Sequence, residues 1–298
     1  MRFRPGRALI LFAAALVLGF AGRSEGRATF VSRIVWTMDA PGFGGWSGLD
    51  VTDDGRGFVA ISDRGRITQG TLLRDGAGRI AGARTGSIHR LGDSARGFFR
   101  GDPRDAEGLA VAPDGRVFIA FEAVNRVLAY AGAEGGEATV LPLHLDFIGL
   151  IPNTALEALA IDAGGALYTL PEAVVTGGPF PVYRFNGQSW DRFGAVDDRG
   201  DGFAPVGADI GPDGRFYLLE RRYVERTGFA ARVRRYDLSA AGLTNETDLL
   251  VTRTGTHDNL EGLAVWRDPG GRMRLTMVAD DNFGRWQHSE IVEYLVRD

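Results

Sequence analysis

One acidic position recurs in this chain at long, nearly regular intervals. Glu107, Glu157 and Glu261 open the runs Glu-Gly-Leu-Ala-Val, Glu-Ala-Leu-Ala-Ile and Glu-Gly-Leu-Ala-Val. In two related runs Asp50 and Asp209 sit three residues beyond the matching position. The next apolar run of each copy ends in further acids: Asp63, Glu122, Glu172, Glu220, and the pair Asp280 and Asp281. Carboxylates brought to one point repel each other unless a cation or arginines compensate. All-oxygen donors suit calcium best, with magnesium or manganese next. On that reading Asp50, Glu107, Glu157, Asp209, Glu261, Asp280 and Asp281 are the metal-ligating candidates. The other reading is that these acids cap strand ends, bind turn amides or face solvent.

Arginines accompany the acids: Arg64, Arg96, Arg100, Arg104, Arg221, Arg222 and Arg285. The chain contains no lysine, so all 34 of its basic residues are arginine. Schiff-base chemistry and a P-loop lysine are thereby excluded. Any bound anion must be met by the planar arginine fork. Arg64 and Arg221 stand at the ends of the second runs, where they either meet an anionic substrate group or pair with the acids. The catalytic candidates are Glu107, Glu261, Arg64 and Arg221. Gly45-Trp46-Ser47-Gly48-Leu49 approaches a nucleophile elbow but lacks the final glycine and precedes no helix. His89, His144, His257 and His288 are scattered, none at zinc-ligand spacing. Only His257, beside Asp258, and His288 flank a repeat closely enough to stay under consideration.

The elements carrying these residues are hairpins. Residues 47–62, 107–122, 157–172, 206–221 and 261–281 each pair an apolar run with a second run rich in Val, Ile, Phe and Tyr. In the first four, Asp-Gly or Gly-Gly marks the tight turn; the fifth has a longer turn. The equivalent positions 49, 109, 159, 208 and 263 lie 60, 50, 49 and 55 residues apart. One or two more strand-like runs follow each hairpin: 126–130 with 138–143, 182–185 with 190–193, and 231–238 with 247–252. Four strands per unit of this length is the period of a propeller blade. After the fifth hairpin only 290–296 remains, so the run 28–37 is the expected donor of a closing strand. The expected fold is an all-β propeller of five blades, with room for a sixth in the long first interval.

Arg2, Arg4 and Arg7 precede an apolar run over residues 8–20, and small residues follow. This is the grammar of a signal peptide over residues 1–21, leaving residues 28–298 as the folded domain. The run is too short for a confident membrane span. The expected location is periplasmic or secreted. With no cysteine, the fold must be held by its core, and cysteine zinc sites are excluded. A net charge of −4 leaves no electrostatic footprint for nucleic acid. A monomer is expected.

Several segments resemble the phytase-like domain family, also called the esterase-like-activity-of-phytase family. They are Asp105-Ala-Glu-Gly-Leu-Ala, Asn153-Thr-Ala-Leu-Glu-Ala-Leu-Ala, Leu218-Leu-Glu-Arg-Arg-Tyr, Asp258-Asn-Leu-Glu-Gly-Leu-Ala-Val and Val278-Ala-Asp-Asp-Asn-Phe. The resemblance spans residues 30–298. It implies a bacterial exported propeller acting on phosphate or other esters, with calcium by analogy to propeller phytases. This chain departs from the family where Ser-Asp-Asp is common, reading Ser62-Asp63-Arg64, and it carries Pro171 before Glu172. An acid exchanged for arginine weakens a metal site and strengthens an anion site.

The leading functional expectation is a metal-assisted hydrolase of phosphoric or other esters, with a small anionic ester as substrate. The alternatives are a binding propeller without catalysis and a lactonase-type propeller, which needs few ligands around one cation.

Overall fold

The computed structural model describes residues 27–92, 105–151 and 154–297. The segment 1–21 and Arg96, Arg100 and Arg104 lie outside these residues. Among the described residues there is no α-helix, and no helix is long and apolar enough to cross a membrane.

The chain forms five four-stranded antiparallel sheets, the blades of a β-propeller. Blade one is β2 (Trp46–Val51), β3 (Gly57–Ser62), β4 (Arg66–Arg74) and β5 (Ile80–Arg90). Blade two is β6 (Ala106–Val111), β7 (Val117–Phe121), β8 (Arg126–Tyr130) and β9 (Ala138–Val140). Blade three is β10 (Leu156–Ile161), β11 (Leu167–Pro171), β12 (Phe180–Phe185) and β13 (Trp190–Val196). Blade four is β14 (Ala204–Ile210), β15 (Phe216–Val224), β16 (Gly228–Ser239) and β17 (Gly242–Val251). Blade five takes β18 (Asn259–Arg267), β19 (Met273–Asp280) and β20 (Glu290–Val296) from one end of the chain and β1 (Ala28–Val35) from the other. The long first interval therefore holds the outer strands of blade one and no sixth blade.

β1 pairs antiparallel with β20, from Ala28 opposite Val296 to Val35 opposite Glu290. This pairing covers what would be an exposed edge of β20. The innermost strands β2, β6, β10, β14 and β18 touch in that order, and β18 returns to β2. Each neighbouring pair of blades encloses its own apolar cluster, so the core is five packed interfaces around an axis. Trp36 stacks on Trp46 at 4.7 Å between centroids, where the chain passes from β1 of blade five to β2 of blade one.

The Asp-Gly and Gly-Gly turns behave as their composition requires. Gly55, Gly115, Gly165, Gly214 and Gly271 all have φ between +69° and +87°, the left-handed region that glycine enters without steric cost.

Candidate functional site at the mouth of the axial channel

Every innermost strand carries a register shift against its neighbour at the same place: Trp46/Gly48, Ala106/Leu109, Leu156/Ala158, Pro205/Gly207 and Leu260/Gly262. The repeated motif position, Ser47, Glu107, Glu157, Val206 or Glu261, falls within this bulge. A bulge re-aims the side chain of its extra residue. Here it brings all five onto the walls of one axial cavity. In four blades a glycine follows, set by crowding between blades, and blade three has Ala158 there. A Cβ on Gly207 would lie 2.3 Å from the Glu261 carbonyl oxygen, and one on Gly262 would lie 2.6 Å from the Leu49 amide nitrogen. The cavity is about 10 Å³, room for roughly one water. An organic ligand must therefore act at the mouth rather than inside.

The second strands deliver the next tier of acids to that mouth. Glu122 Oε1 accepts the Ala155 amide at 2.5 Å, and the Glu122 carboxyl also hydrogen-bonds Glu157. Carboxylate oxygens of Asp105, Glu107 and Glu122 all lie within 4.8 Å of one another. Burial, reinforced by the carboxylates of Glu157, Glu261, Asp105 and Glu122, holds Glu107 well above the ordinary range. Burial and the neighbouring acids Glu122 and Glu172 do the same to Glu157. Burial lifts Glu122 to about 7 and Asp63 to about 6. It lifts Glu261 to about 7 against the pull of Arg221, and Asp280 to about 8 with help from Glu261. This mouth disfavours its own charge, and the hard oxygen donors of Asp105, Glu107 and Glu122 could hold a divalent cation.

Arg221, reaching in from β15, neutralises part of the set. Its guanidinium bonds Glu172 Oε1 at 2.7 Å, Asn259 Oδ1 at 2.9 Å and the carboxylate of Glu261. Asp281 is likewise engaged, accepting from the amides of Gly45 and Phe283 and from the Ser289 hydroxyl, each at 3.0 Å. Asn282 and Phe283 both have positive φ, +45° and +49°. Non-glycine residues rarely adopt this conformation, and such strain clusters at functional sites. It places the Phe283 ring beneath Arg64, whose guanidinium carbon stands 3.5 Å from the ring centroid. Arg64 is exposed at the rim.

The structure divides the sequence-derived set. Glu107, Glu157, Glu261, Asp280 and Asp281 gather at the mouth with Arg64 and Arg221. Asp50 and Asp209 do not join them. They lie at the far end of their strands, on a different cavity of about 630 Å³. There Asp50 Oδ2 accepts the Val111 amide at 3.2 Å, and Asp209 Oδ2 accepts the Val265 amide at 2.6 Å. Each carboxylate thus ties one blade to the next. The far-end placement follows from strand direction: three residues beyond the bulge, an innermost strand has nearly crossed the blade.

Glu220 also leaves the set. It is fully buried and gripped by Arg232 and Arg234 of β16. Arg222 packs over Phe203, and Arg285 is exposed on the β19–β20 connection. Ser47 donates to the Ala106 carbonyl at 2.5 Å, so its hydroxyl holds two blades together. His257 is buried against Tyr294, and His288 is exposed. Asp105 and Asn259 were missed as site residues although both stand in the motifs, each two positions before its glutamate.

The family model for phytase-like proteins, described as esterase-like activity of phytase, matches residues 41–283. No curated protein matches the chain. Among solved structures it is similar to an α-L-arabinofuranosidase from Podospora anserina in complex with cellotriose. The identity is 13%, with 92% of this chain and 97% of that chain covered, at a TM-score of 0.50. It is also similar to regucalcin, a calcium-binding protein from Agrobacterium tumefaciens, at 12% identity, 90% and 96% coverage and a TM-score of 0.49. A gluconolactonase from Xanthomonas campestris gives 16% identity, 84% and 72% coverage and a TM-score of 0.45. At such identities the likeness is one of fold. The family match covers all five bulged repeats and the whole of the Asp280–Phe283 turn, and the chain belongs to the phytase-like family.

Proposed function

We propose that this protein is a cation-dependent ester hydrolase whose reaction takes place at the acidic mouth of the propeller channel. The observation carrying this reading is the cluster of Asp105, Glu107 and Glu122, with oxygens within 4.8 Å of one another and two of the three carboxyls raised by burial. The donor set fits calcium, magnesium or manganese. A cation held there would polarise the ester and acidify a water. The remaining roles belong to the chain itself. In the metal-free protein Glu122 and Glu157 share a hydrogen bond, and with Glu122 near 7 the pair holds a proton close to neutral pH that a bound cation would displace. Arg221 holds Glu172 and Glu261 in place and draws the Glu261 carboxyl toward its charged form. Arg64, stacked on Phe283 at the rim, is free to meet an anionic group such as a phosphoryl oxygen.

A single three-carboxylate cluster among the described residues suits one cation better than several. That extends the reading from phosphoric esters to carboxylic esters and lactones. Export to the periplasm or medium belongs to the same proposal and rests on residues 1–21. The small axial cavity favours a second reading, a binding propeller that presents the mouth to a ligand without turning it over.

The test is hydrolysis of p-nitrophenyl phosphate, its diester and p-nitrophenyl acetate, with calcium, magnesium or manganese and with chelator. Glu107→Gln and Glu122→Gln should lower turnover and cation affinity together. Arg64→Ala should raise KM for the phosphate esters and leave cation affinity unchanged. Wild-type protein inactive on all three substrates with every metal would leave the binding propeller in its place.

A further inference from the structure

A second concave region opens on the same face, between blades four and five, with a volume of about 700 Å³. That lies within the range of small-molecule sites. Tyr223 and Phe229 form one aromatic side, their rings 5.1 Å apart. Trp286, on the connection between β19 and β20, is 92% exposed. The other four tryptophans, Trp36, Trp46, Trp190 and Trp266, are at most 6% exposed. An indole left in water beside a groove is a large apolar face with nothing to cover it.

The floor is polar and underused. His257 and Glu290 are 8% and 5% exposed, and both line the groove. His257 meets the Tyr294 hydroxyl through Nε2 at 2.6 Å, while its Nδ1 is buried without a hydrogen-bond partner. Glu290 Oε1 lies 3.5 Å from Arg33, and its Oε2 is buried with no partner of hydrogen-bond geometry. The Asp258 backbone amide acts on the Glu290 carboxyl and partly offsets the rise that burial imposes on it. Asp258 is itself well supplied, accepting from the Asn259 and His288 amides at 3.0 and 2.8 Å and from Gln287 Nε2 at 3.1 Å. Buried polar atoms without partners cost free energy, so native proteins rarely keep them idle.

We infer that this groove is a saccharide-binding site, in which a neutral sugar ring stacks on Trp286 and its hydroxyls meet the polar floor that His257 and Glu290 help to form. A hydroxyl both donates and accepts, so it serves His257 in either tautomer and the carboxyl of Glu290 in either protonation state. The apolar face of a pyranose matches an exposed indole, with its hydroxyls left at the rim for polar partners. A cationic ligand would suit the aromatic groups but meets Arg33 in the same groove. Asp258 is already committed to donors of the chain. An anionic ligand meets the carboxyls of Asp258 and Glu290. The inference does not depend on hydrolysis at the channel mouth, because sugar binding is measured without metal or turnover.

The experiment is calorimetric titration of the chelator-treated protein with neutral oligosaccharides of gluco, xylo, manno and galacto configuration. Choline and inorganic phosphate serve as comparison ligands. One configuration should bind saturably at millimolar concentration or below, with a change in tryptophan emission. Trp286→Ala should weaken that binding about tenfold and abolish the emission change. Its exposure makes loss of fold an unsuitable explanation, and a wild-type melting temperature in the variant would verify this. Glu290→Gln should shift affinity less. Glu107→Gln should leave it unchanged, which separates this site from the acidic mouth. The inference is overturned if no saccharide binds, if choline or phosphate binds more tightly than every sugar, or if Trp286→Ala binds as wild type does.

Discussion

The guanidinium of Arg221 in blade four is bonded directly to the carboxylate of Glu261 in blade five, and the same side chain holds Glu172 of blade three at 2.7 Å. One arginine thus spans three blades at the mouth of the channel. Arg221→Met should leave both acids without their counterion inside a region already crowded with carboxylates. Breaking such a pair from one side costs on the order of 3 kcal/mol. A urea melt near neutral pH should register the loss, and acidification should recover much of it as Glu261 becomes protonated. A variant as stable as wild type at neutral pH would mean that the pairing does not compensate the acids.

The metal-free protein should lose stability as pH rises. Glu122 and Glu261 move from an ordinary 4.5 to about 7 in the fold, and Asp50 and Asp280 move from 3.8 to about 7 and about 8. Below the ordinary values both states are protonated and the stabilising difference is fully present. Between the two values the native state keeps protons that the unfolded chain has released, so stability falls with pH, and the loss is complete above about 8. These groups interact, so the decline is a shared one rather than four separate steps. Thermal melts in chelator across this window should show a falling Tm. Millimolar calcium should flatten the slope, because a cation stabilises the charged forms that burial penalises. A Tm that rises with pH in chelator would contradict the burial of these carboxyls.

Removing residues 28–35 should uncover β20 along the whole ladder from Glu290 to Val296. It should also take Ala28 out of the apolar cluster between blades four and five. The expected result is aggregation or loss of a single cooperative transition, followed by light scattering and circular dichroism. An unchanged melt would show that the ring does not need this strand.

Gly207→Ala and Gly262→Ala should each destabilise the fold by about 1–3 kcal/mol, because the added methyl runs into the backbone of the next blade. Gly82→Ala in β5 is the control: its nearest neighbour would be Leu73 Cδ1 at 3.6 Å, an ordinary contact. Chemical denaturation should find that variant close to wild type. Equal effects at all three positions would point to strand propensity and away from crowding at the axis.

The sequence by itself determined the blade. Asp-Gly turns require a left-handed residue, alternating Val, Ile and Phe runs require strands, and the five spaced copies require five equal packing problems with one shared solution. The incomplete last copy and the unpaired run 28–37 foretold the closing strand, which forms over Ala28–Val35. All of this is local or periodic information, so it is written in the order of residues. The family resemblance was legible for the same reason, since its motifs are short segments.

Which acids meet was decided only by the tertiary structure. Glu107 and Asp50 are both acids of an innermost run, three repeat positions apart, and nothing in the sequence says that they part company. The bulge and the direction of each strand send Glu107 to the mouth and Asp50 to the opposite end, where it binds the Val111 amide. Glu122 and Glu220 belong to equivalent strands but stand one repeat position apart, so Arg221 takes the place of Glu122 at the mouth while Glu220 meets Arg232 and Arg234 of β16. The register of a strand fixes which side of it a side chain occupies. Charge partners from strands distant in sequence then fix what that side chain is free to do.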